Sequence, residues 1–67
     1  MNPVAELNIK RHEWEARELK QLRAELYVKL DQVKDQAKAD EIMNQIRKTN
    51  DDITFHERKV DDLLAIA

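Results

Sequence analysis

Two histidines are the side chains of this sequence best suited to metal binding or acid–base chemistry. His56 follows Asp52 by four residues and His12 precedes Glu15 by three, so each pair lies on one face of a predicted helix. Neither pair forms the Glu-x-x-His motif that binds iron in helical bundles. We therefore interpret both histidines as polar positions that help to set helix register, and we predict no metal site.

The residue types that are missing exclude several classes of catalytic site. The 67 residues include no Cys, Gly or Ser. Disulfides and zinc–thiolate sites need Cys, phosphate-binding loops need Gly, and the usual nucleophilic triads need Ser or Cys. Acidic pairs such as Asp51-Asp52 and Asp61-Asp62 are interpreted as helix-surface charges, because so short a chain cannot build a deep cleft. We predict that the protein is not an enzyme and uses no cofactor.

Charge patterning argues against a nucleic-acid surface. The chain carries 12 basic and 14 acidic residues, for a net charge of -2. Arg17 and Lys20 could form a small basic ridge, but three glutamates surround it, and alternating signs are typical of a solvated helix face. We do not expect nucleic-acid binding, and we keep it as the alternative hypothesis.

The composition and periodicity predict helices throughout. Asn2 followed by Pro3 is a favourable helix start, with Asn as the cap and Pro at the first helical position. A first apolar stripe then follows heptad spacing, with His12 and Arg23 filling two of its positions. Its apolar members are Ile9, Ala16, Leu19, Leu26, Leu30, Val33 and Ala37.

A second heptad stripe follows out of phase with the first, so a single unbroken helix would turn its apolar face away midway. The stripe contains Ile42, Ile46, Thr49, Ile53, His56, Val60, Leu63 and Ala67. We predict a helix over 3–35, a turn at 36–40 with Asp40 as a cap, and a helix over 41–66. A break at Thr49–Asp52, giving three helices, is the alternative.

Folding the chain at that turn makes the two stripes face each other as an antiparallel, coiled-coil-like hairpin in one 1–67 domain. Residues whose numbers sum to about 75 become neighbours. His12 then lies opposite Leu63 and His56 opposite Leu19, so we expect the histidines not to meet. Arg23 is expected to pair with Asp52.

Apolar residues that flank the stripes predict self-association. A hairpin covers one face of each helix, and chains of this length seldom hold much core alone. Two hairpins packed as a homodimer would form a four-helix bundle and bury the wider face. The flanking residues are Leu22, Tyr27, Met43 and Leu64.

Other apolar residues lie away from the seam and are candidates for binding a different protein. Leu7, Trp14 and Val28 lie on the far side of the first helix, and Phe55 lies off the seam of the second. We predict a small protein–protein interaction module that acts as a regulator, inhibitor, adaptor or assembly subunit. The alternative is a dimeric nucleic-acid-binding protein whose architecture is similar to that of the plasmid RNA-binding protein Rop.

The sequence also sets an expectation for location. The first six residues lack a basic region followed by an apolar run, so we expect no secretory signal. The longest apolar run is five residues, whereas a membrane-spanning helix needs about 20. We therefore expect a cytoplasmic protein without a membrane span.

Overall fold

Two long helices form almost all of the structure, a computed structural model that describes residues 2–66. Helix α1 spans Pro3–Gln32 and helix α2 spans Gln36–Ile66. They pack against each other as a hairpin, and the Cα atoms extend over 50 × 14 × 11 Å. The molecule is therefore two helices wide and one helix thick. The predicted all-α helical hairpin is confirmed.

The start of α1 follows the sequence prediction. Asn2 has extended backbone angles, and its side-chain oxygen accepts a hydrogen bond from the Val4 amide at 2.8 Å. Pro3 occupies the first helical position, where its missing N–H costs nothing. The Asn2 carbonyl accepts from the Glu6 amide at 3.0 Å, which is the first helical hydrogen bond.

The turn lies at residues 33–35, so the predicted turn at 36–40 and the predicted cap at Asp40 are wrong. Val33 is extended, and the Asp35 carboxylate accepts a hydrogen bond from the Ala37 amide at 3.0 Å. Asp35 thus caps α2, whose first turn contains the strong helix formers Ala37 and Lys38. No residue between 2 and 66 has a positive φ, so this turn does not require Gly.

Both predicted stripes face the seam between the helices. Thr49 is the polar member of the buried set, and its hydroxyl donates to the Gln45 carbonyl at 2.7 Å. Ala37 is exposed at the start of α2 instead of extending the first stripe, and Ala67 lies outside the described residues. The most buried residues are Ile9, Ala16, Leu26, Ile46, Thr49 and Ile53.

Helix α2 continues without a break through Thr49–Asp52, so the three-helix alternative is wrong. Ile46, Thr49 and Ile53 are all buried, which shows that the stripe keeps its phase across this segment. Burial of one continuous face outweighs the local preference of Asn50 and Asp51 for helix caps.

Candidate functional site

The two histidines meet across the seam, contrary to the sequence prediction. The Nδ1 atoms of His12 and His56 are 2.9 Å apart, and the ring centroids are 5.1 Å apart. His56 Nε2 lies 3.0 Å from the Glu15 carboxylate. The prediction failed because the turn is earlier than expected. With Lys34 at the centre of the turn, His12 and His56 are equally far along the chain from it.

Partners on the two helices hold the imidazole rings in place. Both histidines are half-buried, and the Phe55 ring approaches them edge-on. Its centroid lies 6.5 Å from that of His12 and 5.2 Å from that of His56, with interplanar angles of 78° and 77°. The Lys59 ammonium lies 5.6 Å from the Phe55 centroid on the outer side of α2. The cluster is thus shielded on one side by an aromatic ring.

The hydrogen-bond partners assign the protons of the cluster. A carboxylate only accepts, so His56 Nε2 carries the hydrogen that Glu15 accepts. In a neutral His56, Nδ1 is then an acceptor, and the hydrogen between the two Nδ1 atoms belongs to His12. One hydrogen between the two Nδ1 atoms and one between His56 Nε2 and Glu15 therefore satisfy both contacts.

The same three side chains offer a set of metal ligands. One ring nitrogen from each of His12 and His56 and one Glu15 oxygen lie within 4.8 Å of one another. Imidazole nitrogen and carboxylate oxygen are common ligands of zinc and related divalent metals. The sequence offered one signal for this site, the three-residue spacing of His12 and Glu15. The contact with His56 was not predicted, because the predicted turn lay too late in the chain.

Arg23 makes a polar contact elsewhere in the seam. Its guanidinium donates to the Asn50 side-chain oxygen at 2.7 Å, and both residues are half-buried. The structure pairs Arg23 with Asn50 instead of the expected Asp52. A hydrogen bond with a charged donor is stronger than a neutral one, so this contact helps to fix the register of the helices.

Two long surfaces, each formed by both helices, border the seam of the hairpin. One of them carries three of the four residues predicted for self-association. Lys20 and Glu57 form an ion pair across it at 3.3 Å. Residues seven or fourteen positions away along a helix return to nearly the same face. Tyr27, Met43 and Leu64 stand at such intervals from Lys20 or Glu57. We call this surface the Tyr27 edge, and all three apolar side chains on it are exposed.

Leu22 lies on the opposite edge. It lines a shallow groove together with Gln45 and Asp52, and Leu22 is 43% exposed. Leu19 and Asp52 also line the adjoining groove that holds Glu15 and His56. We call this surface the Leu22 edge. It shares no lining residue with the groove of the Tyr27 edge, so the structure separates Leu22 from the other three predicted residues.

The residues predicted to bind a different protein are exposed but do not form one cluster. Leu7, Trp14 and Val28 recur at multiples of seven residues on α1, and we call them the far stripe. Phe55 lies on α2, and its ring contacts the histidines. Trp14 is 57% exposed and lines the groove that holds His56, so it joins the far stripe to the Leu22 edge.

No protein-family model, curated protein sequence or solved structure matches this chain. Within residues 2–66, neither helix contains a stretch that is long and apolar enough to cross a membrane. The candidate surfaces are thus defined by the histidine cluster, the two edges and the far stripe.

Proposed function

We propose that this chain is a small interaction protein that self-associates into a four-helix bundle, in a cytoplasmic setting. The observation that supports the proposal most strongly is the surface that the hairpin leaves exposed. Its accessible area is 5343 Å² for a mass of 8.0 kDa. A compact monomer of that mass exposes about 4,450 Å². The excess of roughly 900 Å² is close to the ~800 Å² that each partner buries in a standard interface.

The exposed apolar residues favour the Tyr27 edge as the self-association surface. Tyr27, Met43 and Leu64 are about half exposed, and large apolar side chains that flank the seam widen it toward the face of a four-helix bundle. The Leu22 edge offers Leu22 alone among the residues predicted for self-association. A second copy of this chain is therefore expected on the Tyr27 edge.

The charges on the Tyr27 edge fit a two-fold interface. The groove there has Glu13, Arg17 and Lys20 on α1, and Glu57 and Asp61 on α2, so α1 is more basic than α2. A two-fold interface uses the same surface on both copies, so it must be complementary to itself. Packing α1 of one copy beside α2 of the other would place bases against acids. Such pairs at the rim would orient the two copies more than they would strengthen binding.

A bundle built on the Tyr27 edge leaves the far stripe free for a different protein. Trp is enriched among the residues that dominate binding energy at interfaces, so Trp14 is the anchor that we propose for this second contact. Leu7 and Val28 extend the surface along α1. The protein would then act as a non-enzymatic module. It would form a dimer through the Tyr27 edge and bind a different protein through the far stripe.

A matched pair of substitutions tests the proposed edge. Met43→Lys and Leu22→Lys each add a charge at a site of similar exposure, 49% and 43%, on opposite edges. By sedimentation equilibrium, Met43→Lys is expected to raise the dimer Kd at least tenfold, or about 1.4 kcal/mol, because each dimer loses two buried apolar side chains. Leu22→Lys is expected to leave the dimer Kd within about threefold of the wild-type value.

If Leu22→Lys raised the dimer Kd more than Met43→Lys did, the Tyr27 edge would not be the self-association surface. A wild-type protein that stays monomeric and folded at every concentration would overturn self-association itself. Circular dichroism of each variant at the same concentrations distinguishes a broken interface from an unfolded chain.

A further inference from the structure

We propose that His12, Glu15 and His56 form a binding site for a divalent transition metal of the zinc class. The site joins the two helices far from the turn, because His12 and His56 are 44 residues apart in sequence. It lies on the side of the hairpin that holds the Leu22 edge, away from the Tyr27 edge. Metal binding is therefore independent of the proposed self-association.

The two imidazoles need only a small adjustment to accept a metal ion between them. The two Nδ1 atoms share one hydrogen at 2.9 Å. Two nitrogens bound to one tetrahedral zinc ion at about 2.05 Å stand roughly 3.3 Å apart. Replacing the shared hydrogen with a metal ion thus requires the rings to separate by about 0.4 Å. Glu15 contacts the other nitrogen of the His56 ring, Nε2, at 3.0 Å, so its side chain, which is 37% exposed, must rotate away from that contact to become the third ligand.

The surroundings of the cluster suit a site with one open coordination position. The Phe55 ring packs against the imidazoles on one side, nearly perpendicular to both. Glu15 and His56 line an open groove together with Trp14, Glu18 and Asp52, so two of the three proposed ligands face solvent. Three protein ligands and one water molecule are a usual arrangement for zinc.

A metal ion would also supply a cross-link that the chain otherwise lacks. Small domains with little buried apolar surface are commonly stabilised by disulfides or metals, and this sequence contains no Cys. Linking the two helices 44 residues apart closes a long loop, which is where a cross-link removes the most freedom from the unfolded chain. The ion would cross-link the two helices.

Titration of the untagged full chain with Zn²⁺ and with Co²⁺ tests the site. Calorimetry is expected to show one Zn²⁺ ion per chain, and Co²⁺ is expected to give the visible absorption of a tetrahedral complex. Zn²⁺ at 100 times its Kd is expected to raise the Tm by about 10–20 °C. The variants His12→Gln, His56→Gln and Glu15→Gln each remove a proposed ligand and are expected to weaken Zn²⁺ binding by more than the roughly 10–100-fold that loss of an outer-shell partner costs.

Two control variants separate this site from other causes. Glu18→Gln removes a carboxylate from the same groove without touching the three ligands, and it is expected to bind Zn²⁺ like the wild type. Met43→Lys is expected to bind Zn²⁺ normally even when self-association is lost. If His56→Gln does not fold by circular dichroism, the more exposed Glu15→Gln decides the question.

Several results would overturn the proposal. One is the absence of Zn²⁺ and Co²⁺ binding to the folded wild-type chain. Another is binding that His12→Gln and Glu15→Gln leave unchanged. A stoichiometry of one ion per two chains would also contradict a site built within a single hairpin.

Discussion

At the scale of single residues, the seam combines a small apolar core with polar pairs that satisfy each other. Among residues 2–66, every buried side-chain nitrogen or oxygen has a hydrogen-bond partner. Arg23 with Asn50 and His12 with His56 add two contacts between half-buried side chains. Burying a polar pair in a helix seam has an unfavourable desolvation free energy. The pair nevertheless favours one register of the two helices, because a shifted register would leave its polar groups unpaired.

Removing the Arg23 side chain tests this role. Arg23→Ala deletes a hydrogen bond from a charged donor and leaves the half-buried Asn50 without it, so we expect the free energy of unfolding to fall by about 1 kcal/mol. Arg47→Ala removes the same charge from an exposed position on α2 and is expected to change it by less than about 0.5 kcal/mol. Urea unfolding at one fixed protein concentration makes the comparison. Equal effects of the two substitutions would show that the Arg23–Asn50 contact contributes nothing.

The sequence showed which residues could do chemistry but not which of them meet. His12 and Glu15 are on adjacent turns of α1, so their proximity follows from helix geometry alone. The contact with His56 depends on the position of the turn, and an error of a few residues there moves a neighbour along the opposite helix by twice as many residues, here from Leu63 to His56 or about two helical turns. The local sequence pattern therefore could not predict the tertiary contacts between segments that are distant in the chain.

At the scale of helices, periodicity predicted the two elements and capping chemistry decided where they end. The stripes from Ile9 to Val33 and from Ile42 to Leu63 face the seam as predicted. The position of the turn was not predictable from Gly or Pro, because the chain has neither there. Asp35 and Asp40 were both acceptable caps. Asp35 caps α2 in the structure, and α2 thereby extends its stripe back to the half-buried Ala39.

The two aspartates provide a matched test of the turn. Asp35→Ala removes the hydrogen bond to the Ala37 amide and is expected to lower the free energy of unfolding by about 1 kcal/mol. Asp40→Ala removes only an exposed contact with the Gln36 side chain, and a loss of less than about 0.5 kcal/mol is expected. Urea midpoints of both variants give the comparison. A larger loss for Asp40→Ala would place the turn where the sequence alone predicted it.

At the scale of the whole molecule, a hairpin one helix thick cannot cover its own apolar surface. Ten large apolar side chains between residues 2 and 66 are at least 43% exposed, and no side chain in that range is fully buried. The monomer therefore buries a smaller share of its surface than compact domains of its size do. Packing a second hairpin on the Tyr27 edge would supply the missing layer, because helical domains are stable when apolar faces pack on one another.

Sedimentation equilibrium with circular dichroism over a wide range of protein concentrations tests self-association most directly. We expect a mass of twice 8.0 kDa at high concentration, and a joint loss of dimer mass and helical signal on dilution, because the bundle stabilises the helices. A species of 8.0 kDa that keeps its full helical signal at every concentration would contradict the proposed bundle.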